Sequence, residues 1–331
     1  MTRRDLSLQV ERWPCQQPFR ISGRTWTQTE VLVCEIREGQ HVGRGEAMGV
    51  YYLAEDGARM RSQVEQAAEA IRQGADRGAL LDLMPPGGAR NAVDCALWDL
   101  EARCGRTTAW AMAGVENAAV TTVFTIGLER EPRMMAAKAH AAADRPNLKI
   151  KLDADRPVER IAAIRQARAD ARLIIDVNGG WSFDQLRDWA PAMKELGVLL
   201  LEQPLPRGGD LELLGYDSPV PLFADESCLG EHELEHAAAC YDGLVIKLDK
   251  TGGLTSALNL VRRARDLDLR LMTGCMVGTS LAMAPAHVLA QHCEFVDIDG
   301  PLLLARDRAN GLRYDGASVT CPAPALWGMA G

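Results

Sequence analysis

The sequence lacks any regular pattern of cysteines. Its nine cysteines are odd in number and scattered along the chain, and none of them forms a C-x-x-C pair. This distribution argues against a disulfide framework and against a zinc–thiolate site. It is typical of reduced thiols, and we therefore expect the protein in the cytoplasm.

Basic charge and long apolar segments are also scarce. The net charge of −8 leaves no basic surface for nucleic acid or for an anionic membrane. The first 13 residues contain charges but no apolar run, so we expect no signal peptide there. The longest apolar stretch, 271–290, is interrupted by glycine, proline and histidine, whereas a membrane span needs about 20 apolar residues. Nucleic acid and membranes are therefore not expected partners.

Two short motifs suggest chemistry that their context does not support. Gly43-Arg44-Gly45, followed by Gly49, does not have the spacing of a dinucleotide-binding loop. The segment from His232 to His236 matches H-E-x-x-H, the zinc-protease helix. We predict that this segment forms an outer helix, and no third zinc ligand is evident. A zinc metalloprotease is therefore kept only as an alternative function from a different enzyme class.

A regular repeat begins near residue 121 and continues to residue 298. Short apolar runs alternate with helical stretches rich in Ala, Arg and Glu, at intervals of roughly 21 to 27 residues. Eight such units predict an α/β fold with a (β/α)8-type barrel, and a doubly wound sheet is the structural alternative. The predicted strands are 121–126, 148–152, 173–177, 198–201, 222–224, 243–248, 269–273 and 295–298.

The first third of the chain has a different pattern of apolar and polar residues. Residues 6–10 alternate apolar with polar side chains and 31–36 form a short apolar run, while 55–73 and 90–104 have helical spacing. We therefore predict an α+β domain at 1–118, a barrel at 119–301 and a segment at 302–331 that returns to the first domain.

Charged residues stand at the ends of six predicted barrel strands. Because the C-terminal ends of barrel strands meet at one face, this pattern predicts an active site there. The first and seventh strands end near threonines; Thr125 is either a substrate contact or a backbone partner. The charged residues are Lys149, Lys151, Asp176, Glu202, Asp225, Lys247, Asp297 and Asp299.

The lysines and the acids suggest complementary roles. Lys149 and Lys151 alternate with apolar residues and so share one face, where each should lower the pKa of the other and favour a lysine base. Asp176, Glu202 and Asp225 would repel one another without a cation. Their oxygen ligands favour Mg²⁺, and Mn²⁺ could replace it.

These residues resemble the enolase superfamily, in its muconate-lactonizing-enzyme subgroup. The resemblance is carried by the K-x-K of Lys149 to Lys151, the three acids, IKLDKTGGLT around Lys247 and the capping-domain run ARNAVDCALWDLEAR. It implies a (β/α)7β barrel with an α+β capping domain and one Mg²⁺ per subunit on the three acids. It also implies acid/base roles for Lys151 and Lys247, assisted by the charge of Lys149. No H-x-D or D-x-H dyad stands at the strand ends, so the mandelate-racemase branch is not favoured.

The eighth strand separates the members of this subgroup. Asp297 and Asp299 share one face, and this D-x-D resembles the motif with which dipeptide epimerases hold a free amino terminus. Alternatively, the pair caps backbone amides or bridges to an arginine. By resemblance to Ala-Glu epimerases, Arg24, predicted in a loop before the second strand, could pair with the side-chain carboxylate of the second substrate residue.

The implied function is Mg²⁺-dependent epimerisation of dipeptides, L-Ala-D/L-Glu above all, in murein-peptide recycling. Two lysines would move the α-proton of the second residue through a metal-stabilised enediolate. Within the subgroup, an N-acyl (N-succinyl) amino acid racemase, an o-succinylbenzoate synthase and a cycloisomerase remain alternatives, and a barrel that only binds ligands is the non-enzymatic one. The expected partner is a small dipeptide, and a homo-oligomer is left open.

Overall fold

A three-stranded antiparallel sheet opens the computed structural model, which describes residues 3–320 and 323–329. Its strands are β1 (Asp5–Ile21), β2 (Arg24–Glu38) and β3 (His41–Ala47). The strands at 6–10 and 31–36 are therefore parts of a much longer hairpin, whose register shifts between Pro14 and Phe19. Arg24 is the first residue of β2 rather than a loop residue.

Four helices follow the sheet. They are α1 (Gly57–Arg72), α2 (Arg77–Leu83), α3 (Gly88–Cys104) and α4 (Ala109–Met112). The helices predicted at 55–73 and 90–104 are present as α1 and α3, whereas β3, α2 and α4 were not predicted. A side chain at Gly43 or Gly45 would overlap the backbone of α3, so these glycines serve the close approach of β3 to the helix.

Eight parallel strands form the second sheet, in sequence order. A hydrogen bond from Val123 N to Val296 O, 2.9 Å long, joins the two ends of the curled sheet. A single 3₁₀ turn, Gly300–Leu303, follows the last strand where an eighth helix would stand. The strands are β5 (Phe124–Ile126), β6 (Asn147–Lys151), β7 (Arg172–Asp176), β8 (Val198–Glu202), β9 (Leu222–Ala224), β10 (Gly243–Ile246), β11 (Arg270–Thr273) and β12 (Phe295–Val296).

Helices surround this sheet, and apolar side chains fill its interior. The barrel core includes Ile174, Leu200, Phe223, Val245 and Met272, all at most 3% exposed. Aliphatic side chains such as these exclude water beneath the charged strand ends. The helices are α5 (Pro132–Ala141), α6 (Pro157–Ala167), α7 (Phe183–Glu195), α8 (Leu234–Cys240), α9 (Leu248–Thr251), α10 (Leu254–Asp266) and α11 (Ser280–Ala290).

The strand predicted at 121–126 is wrong as a single element. It is divided into β4 (Val120–Thr121) and β5, and β4 leaves the barrel. It joins a small antiparallel sheet with β14 (Ser318–Thr320), which pairs in turn with β13 (Arg313–Asp315). The split reflects a pairing partner almost 200 residues away in the sequence.

The C-terminal segment contacts the helices of the first domain. Trp327 Nε1 donates to Cys95 O at 2.9 Å, and Gly328 N donates to Asp99 Oδ1 at 2.7 Å. Residues 321, 322, 330 and 331 lie outside the described part of the chain, and with them Cys321 and the last two residues of this predicted segment. The domain boundaries at 118 and 301 stay a prediction.

The apolar stretch 271–290 divides between β11 and α11, joined by a loop. Within the described ranges no helix is both long and apolar enough to cross a membrane.

One buried histidine fastens α4 to α11. Trp110 Nε1 donates to His287 Nδ1 at 3.1 Å, so the ring proton resides on Nε2, 3.4 Å from Val319 O. Burial lowers the pKa of His287 from 6.5 to about 4. The neutral ring is therefore the form that fits this site.

We expect this histidine to make the fold acid-sensitive. An unfolded chain takes up the proton near pH 6.5, but the folded one only near pH 4, so the contribution is present above pH 6.5 and is lost as the pH falls toward 4. It amounts to roughly 3 kcal/mol. Urea unfolding at pH 7 and pH 4.5 gives the free energy of unfolding at each pH. Between pH 7 and pH 4.5 this free energy should fall less for His287→Asn than for the wild type. His140→Asn, on α5, is the control. If the free energy of unfolding falls as much in His287→Asn as in this control, the assignment is contradicted.

Candidate active site

The charged residues at the strand ends lie together at one rim of the barrel. Lys151, Asp176 and Glu202 are the last residues of β6, β7 and β8, while Asp225 and Lys247 directly follow β9 and β10. The parallel register pairs Lys151 with Asp176 and Asp176 with Glu202, so these three side chains start from adjacent backbone positions. Sequence order and strand register together bring the site into one place.

Every charge in this cluster is buried. Asp176, Glu202 and Asp225 are 0% exposed, and Lys149 is 1% exposed. Lys149 Nζ lies 2.9 Å from Glu202 Oε1 and 3.2 Å from Asp176 Oδ2. Since an isolated buried charge is costly, the lysines and acids stabilise one another at this rim.

Two further ion pairs complete the cluster. Lys151 Nζ lies 2.5 Å from Asp176 Oδ2, and Lys247 Nζ lies 2.5 Å from Asp225 Oδ2. Each lysine thus points at the acids rather than at another lysine.

The pKa values of the lysines differ from the sequence expectation. Burial lowers the pKa of Lys149, but Asp297 and Glu202 outweigh burial and hold it well above its usual value. The same balance holds the pKa of Lys247 high, through Asp225 and Glu202. For Lys149 the expected lowering of the pKa is therefore outweighed, because carboxylates surround its ammonium group.

The acids divide into two kinds. Burial raises the pKa of Asp176, but Lys151 and Lys149 outweigh it and the pKa falls far below the usual range. Burial followed by the charge of Asp176 raises the pKa of Glu202 well above its usual value. Glu202 is the acid that most lacks positive charge.

This donor set fits a hard divalent cation. Asp176, Glu202 and Asp225 supply only oxygen ligands, which Mg²⁺ prefers. Glu202 Oε2 is buried and lies 2.7 Å from Lys149 Nζ, at an angle that leaves it without a hydrogen-bond partner. An oxygen in this state is suited to a metal ligand.

Lys250 is a residue of this site that sequence reasoning missed. Its Nζ donates to Asp225 Oδ1 at 2.8 Å and to the carbonyl oxygens of Asp225, Cys228 and Val245 at 2.5, 3.0 and 2.8 Å. It fixes the orientation of Asp225 and leaves Oδ2 facing the cluster. The sequence contained this lysine in IKLDKTGGLT, but nothing there connects it with the segment 225–228.

Asn178 and Glu226 were also missed. Asn178 N donates to Asp176 Oδ1 at 3.0 Å, and its side-chain amide donates to Glu226 Oε1 at 3.2 Å. Burial followed by the charge of Asp225 raises the pKa of Glu226 to about 7. Asn178 and Glu226 therefore hold Asp176 in place from the side of β9.

Asp297 and Asp299 follow β12 rather than lying within a strand at 295–298, because β12 ends at Val296. Both side chains are buried, at 4% and 2% exposure. Asp297 Oδ2 accepts from Lys149 Nζ at 2.7 Å, whereas Asp297 Oδ1 has no hydrogen-bond partner among the described residues. Burial followed by the charge of Asp297 raises the pKa of Asp299 to about 7. A cationic group would satisfy this pair.

Thr125 lies beside the aspartates and binds one of them through its backbone. Its N–H donates to Asp299 Oδ2 at 2.6 Å. Cys275, a third neighbour that the sequence did not indicate, has its thiol within 4.8 Å of an oxygen from each aspartate. Burial raises the pKa of this thiol well above its usual value, so it stays protonated.

The first domain covers the rim and holds Arg24 over it. The guanidinium of Arg24 lies 5.0 Å from the ring centre of Trp26 and 4.8 Å from that of Tyr51. Trp26 and Tyr51 line a cavity of about 50 Å³ together with Lys151 and Lys247. The two aromatic rings therefore connect the exposed arginine with the buried lysines.

The first domain also fastens the loop between β11 and α11, which contains Cys275. Thr29 Oγ1 donates to Val277 O at 2.8 Å, and Thr279 N donates to the buried carboxylate of Glu46 at 2.7 Å. Arg308 closes the network with an ion pair to Glu46 at 2.6 Å.

The H-E-x-x-H segment is not a metal site. His232 lies in a 3₁₀ turn, Glu231–Glu233, and His236 lies in α8, so the two imidazoles do not share one α-helix. Both side chains are exposed, and His236 Nε2 is 3.7 Å from Asp210 Oδ2. Among the residues the structure describes, neither histidine belongs to a group of three metal-ligand side chains.

Two family models match the chain. The model described as "Enolase C-terminal domain-like" matches residues 133–321. The model described as "Mandelate racemase / muconate lactonizing enzyme, N-terminal domain" matches residues 3–114.

Two curated proteins are similar over most of the chain. The N-acetyl-D-glutamate racemase of Pseudoalteromonas sp is 40% identical over 253 residues, which cover 76% of this chain and 79% of that protein. The L-Ala-D/L-Glu epimerase of Escherichia coli (strain K12) is 38% identical over 309 residues, which cover 92% and 95% of the two chains.

Solved structures share the fold. An enolase family member from Agrobacterium tumefaciens with homology to dipeptide epimerases, with bound sodium and L-Ala-L-Glu, has a TM-score of 0.95 and 43% identity over 98% of this chain and all of that one. A dipeptide epimerase from Methylococcus capsulatus complexed with Mg and L-Arg-D-Lys has a TM-score of 0.90 and 28% identity over 99% of both chains.

Proposed function

The chain belongs to the mandelate racemase/muconate lactonizing enzyme family of the enolase superfamily, and from this premise we propose that it is a dipeptide epimerase. Its reaction inverts the α-carbon of the second residue, with L-Ala-D/L-Glu as the preferred substrate. The observation that carries the proposal is the combination of two lysines facing one site with a buried aspartate pair beside them. The similar epimerase from Escherichia coli supports the choice of substrate.

Asp176, Glu202 and Asp225 would hold one Mg²⁺, and Mn²⁺ suits the same oxygen ligands. When bound, the ion supplies positive charge that stabilises the substrate carboxylate, and it provides the acids with the counter-charge that the lysines otherwise give. Lys250 keeps Asp225 oriented for this role, and Lys149 adds charge next to Glu202.

Lys151 and Lys247 are placed to act on opposite faces of the substrate. They stand on β6 and after β10, which are four positions apart in the order of an eight-stranded barrel and therefore across it from each other. A lysine released from its ion pair with the metal-binding acids can lose its proton. As a neutral amine it takes the α-proton of the second residue, and the C–H electron pair moves into an enediolate. The other lysine, as an ammonium, returns a proton to the opposite face. The reverse reaction uses the two lysines in exchanged roles.

Asp297 and Asp299 would hold the free amino terminus of the dipeptide. Asp297 Oδ1 is buried without a partner, and an ammonium group is a suitable donor for it. This subsite distinguishes a dipeptide from an N-acylated amino acid, whose nitrogen has no positive charge.

A second candidate is a racemase of N-acylated glutamate. It is favoured by the similar N-acetyl-D-glutamate racemase of Pseudoalteromonas sp. The chemistry at the α-carbon would be the same, since both substrates present a glutamate whose nitrogen is acylated. The two candidates differ only in whether a cation occupies the aspartate pair.

Arg24 would select an acidic second residue. It lies exposed at the edge of the covered site, held against Trp26 and Tyr51, where a substrate carboxylate can reach it from solvent. We further propose that the enzyme acts in the cytoplasm, as the eight free cysteines of the described residues favour, and that it serves murein-peptide recycling.

The first prediction concerns the reaction itself. Incubation with Mg²⁺ and L-Ala-L-Glu in D₂O should place one deuterium at the α-carbon of glutamate, and a chelator should abolish the exchange until Mg²⁺ is restored. Lys151→Ala and Lys247→Ala each remove one base. Each variant should exchange the α-proton of one glutamate epimer for deuterium without converting that epimer into the other. Mass spectrometry measures the exchange, and chiral chromatography measures the conversion. Lys194→Ala, on the exposed face of α7, is the matched control. Full epimerisation by either catalytic-lysine variant would contradict the assignment.

The second prediction separates the two candidate functions. Asp297→Asn should lower kcat/KM for L-Ala-L-Glu roughly 100-fold, because a buried charge-assisted hydrogen bond of about 3 kcal/mol is lost. The same variant should lower kcat/KM for N-acetylglutamate much less. Measuring both substrates on one variant cancels any shared effect through Lys149. Equal losses of kcat/KM for the two substrates would contradict the ammonium subsite. Activity confined to N-acetylglutamate would favour the racemase.

The third prediction concerns the second residue. Arg24→Ala should raise KM for L-Ala-L-Glu roughly fivefold, the effect of an exposed ion pair of about 1 kcal/mol, and leave KM for L-Ala-L-Leu nearly unchanged. Arg12→Ala, on the same hairpin and paired with Glu30, is the control. If both dipeptides lose affinity equally, Arg24 is not the selector.

A further inference from the structure

A larger cavity lies on the flank of the barrel, where the eighth helix would stand. It encloses about 450 Å³ between α5, the register shift of β1 and the 3₁₀ turn Gly300–Leu303. We call it the lateral crevice. Its lining includes Phe19, Phe124, Ile126, Ala141, Leu302 and Leu303.

The lateral crevice adjoins the candidate active site. Phe19, Thr125 and Leu303 line both the crevice and a cavity of about 50 Å³ that holds Lys149, Asp297 and Asp299. Thr125 N binds Asp299 at 2.6 Å, so the wall between the two spaces is one residue thick. A ligand whose amino group rests on the aspartate pair therefore lies directly behind the residues that line both spaces.

Much of the crevice lining is apolar. Phe19, Phe124, Ile126, Leu302 and Leu303 supply aromatic and aliphatic surface there. The charged side chains of the lining have partners within the described chain. Lys138 pairs with Glu129 at 2.6 Å, and Arg145 pairs with Asp144 at 3.2 Å and covers the ring of Phe124. The crevice thus suits an apolar group.

We propose that the lateral crevice binds the side chain of the substrate's first residue, so that the enzyme accepts dipeptides that begin with a large apolar residue such as leucine. This inference rests on the proposed function. The side chain of the first residue is attached to the same carbon as the ammonium group, and the inner cavity of about 50 Å³ has room for a methyl group but not for a leucine side chain. The larger side chain passes between Thr125 and Leu303 into the crevice.

The test compares L-Leu-L-Glu with L-Ala-L-Glu by deuterium incorporation at the α-carbon of glutamate. We expect the wild type to process both, with kcat/KM values within about tenfold of each other. Ala141→Trp, at the exposed end of α5, fills the crevice and should lower the ratio of kcat/KM for L-Leu-L-Glu to that for L-Ala-L-Glu by about tenfold or more. Ala137→Trp, exposed on the same helix and outside the crevice lining, should leave the ratio unchanged.

The outcomes separate this inference from the function on which it rests. Exchange of L-Ala-L-Glu without exchange of L-Leu-L-Glu overturns the inference alone, as does a ratio that Ala141→Trp leaves unchanged or that both tryptophan variants lower equally. Exchange of the tripeptide Gly-L-Ala-L-Glu that Ala141→Trp abolishes would assign the crevice to an amino-terminal extension instead, and so also overturns it. Absence of exchange from every substrate contradicts the proposed function, and the inference with it.

Discussion

The burial of charge at one rim of the barrel is the constraint on which this structure depends. Three carboxylates and three lysines are removed from water there, and none of them is tolerable alone. The strand register sets their spacing, the apolar barrel core excludes water from below, and the first domain covers them from above. Lys250 and Asn178 hold the carboxylates in fixed orientations. The same arrangement that keeps the charges compatible with folding concentrates them on one small volume of substrate.

Much of this site could be predicted from the sequence, because strand ends are local features. Each of Asp176, Glu202 and Lys247 closes a short apolar run, and parallel strands bring such ends together. The failures involve distant partners. Strand β3 was missed because its glycines are required by packing on α3, and the strand at 121–126 divides because β4 pairs with β14. Lys250 gains its role only when the segment 225–228 and strand β10 supply its oxygen partners.

In the proposed complex, the two ends of the substrate are handled by different parts of the chain. The second residue meets the hairpin of the first domain, where Arg24 rests on aromatic rings. The first residue meets the flank of the barrel, where a 3₁₀ turn replaces a helix. Reactive groups lie between them on strands that packing holds rigid. Such a division leaves the chemistry undisturbed when either end of the recognised peptide changes.

The hydrogen bond from Thr125 to Asp299 lies where the first and last strands of the barrel meet. Here the carboxylate of Asp299, and not a carbonyl oxygen of the neighbouring strand, accepts the backbone N–H of Thr125. Asp299 is therefore part of the seam that closes the cylinder as well as part of the proposed amine site. Evolution cannot exchange this acid for a neutral apolar residue to admit a different substrate without also opening the seam. A chain that lost this acid would need another acceptor for the N–H of the first strand.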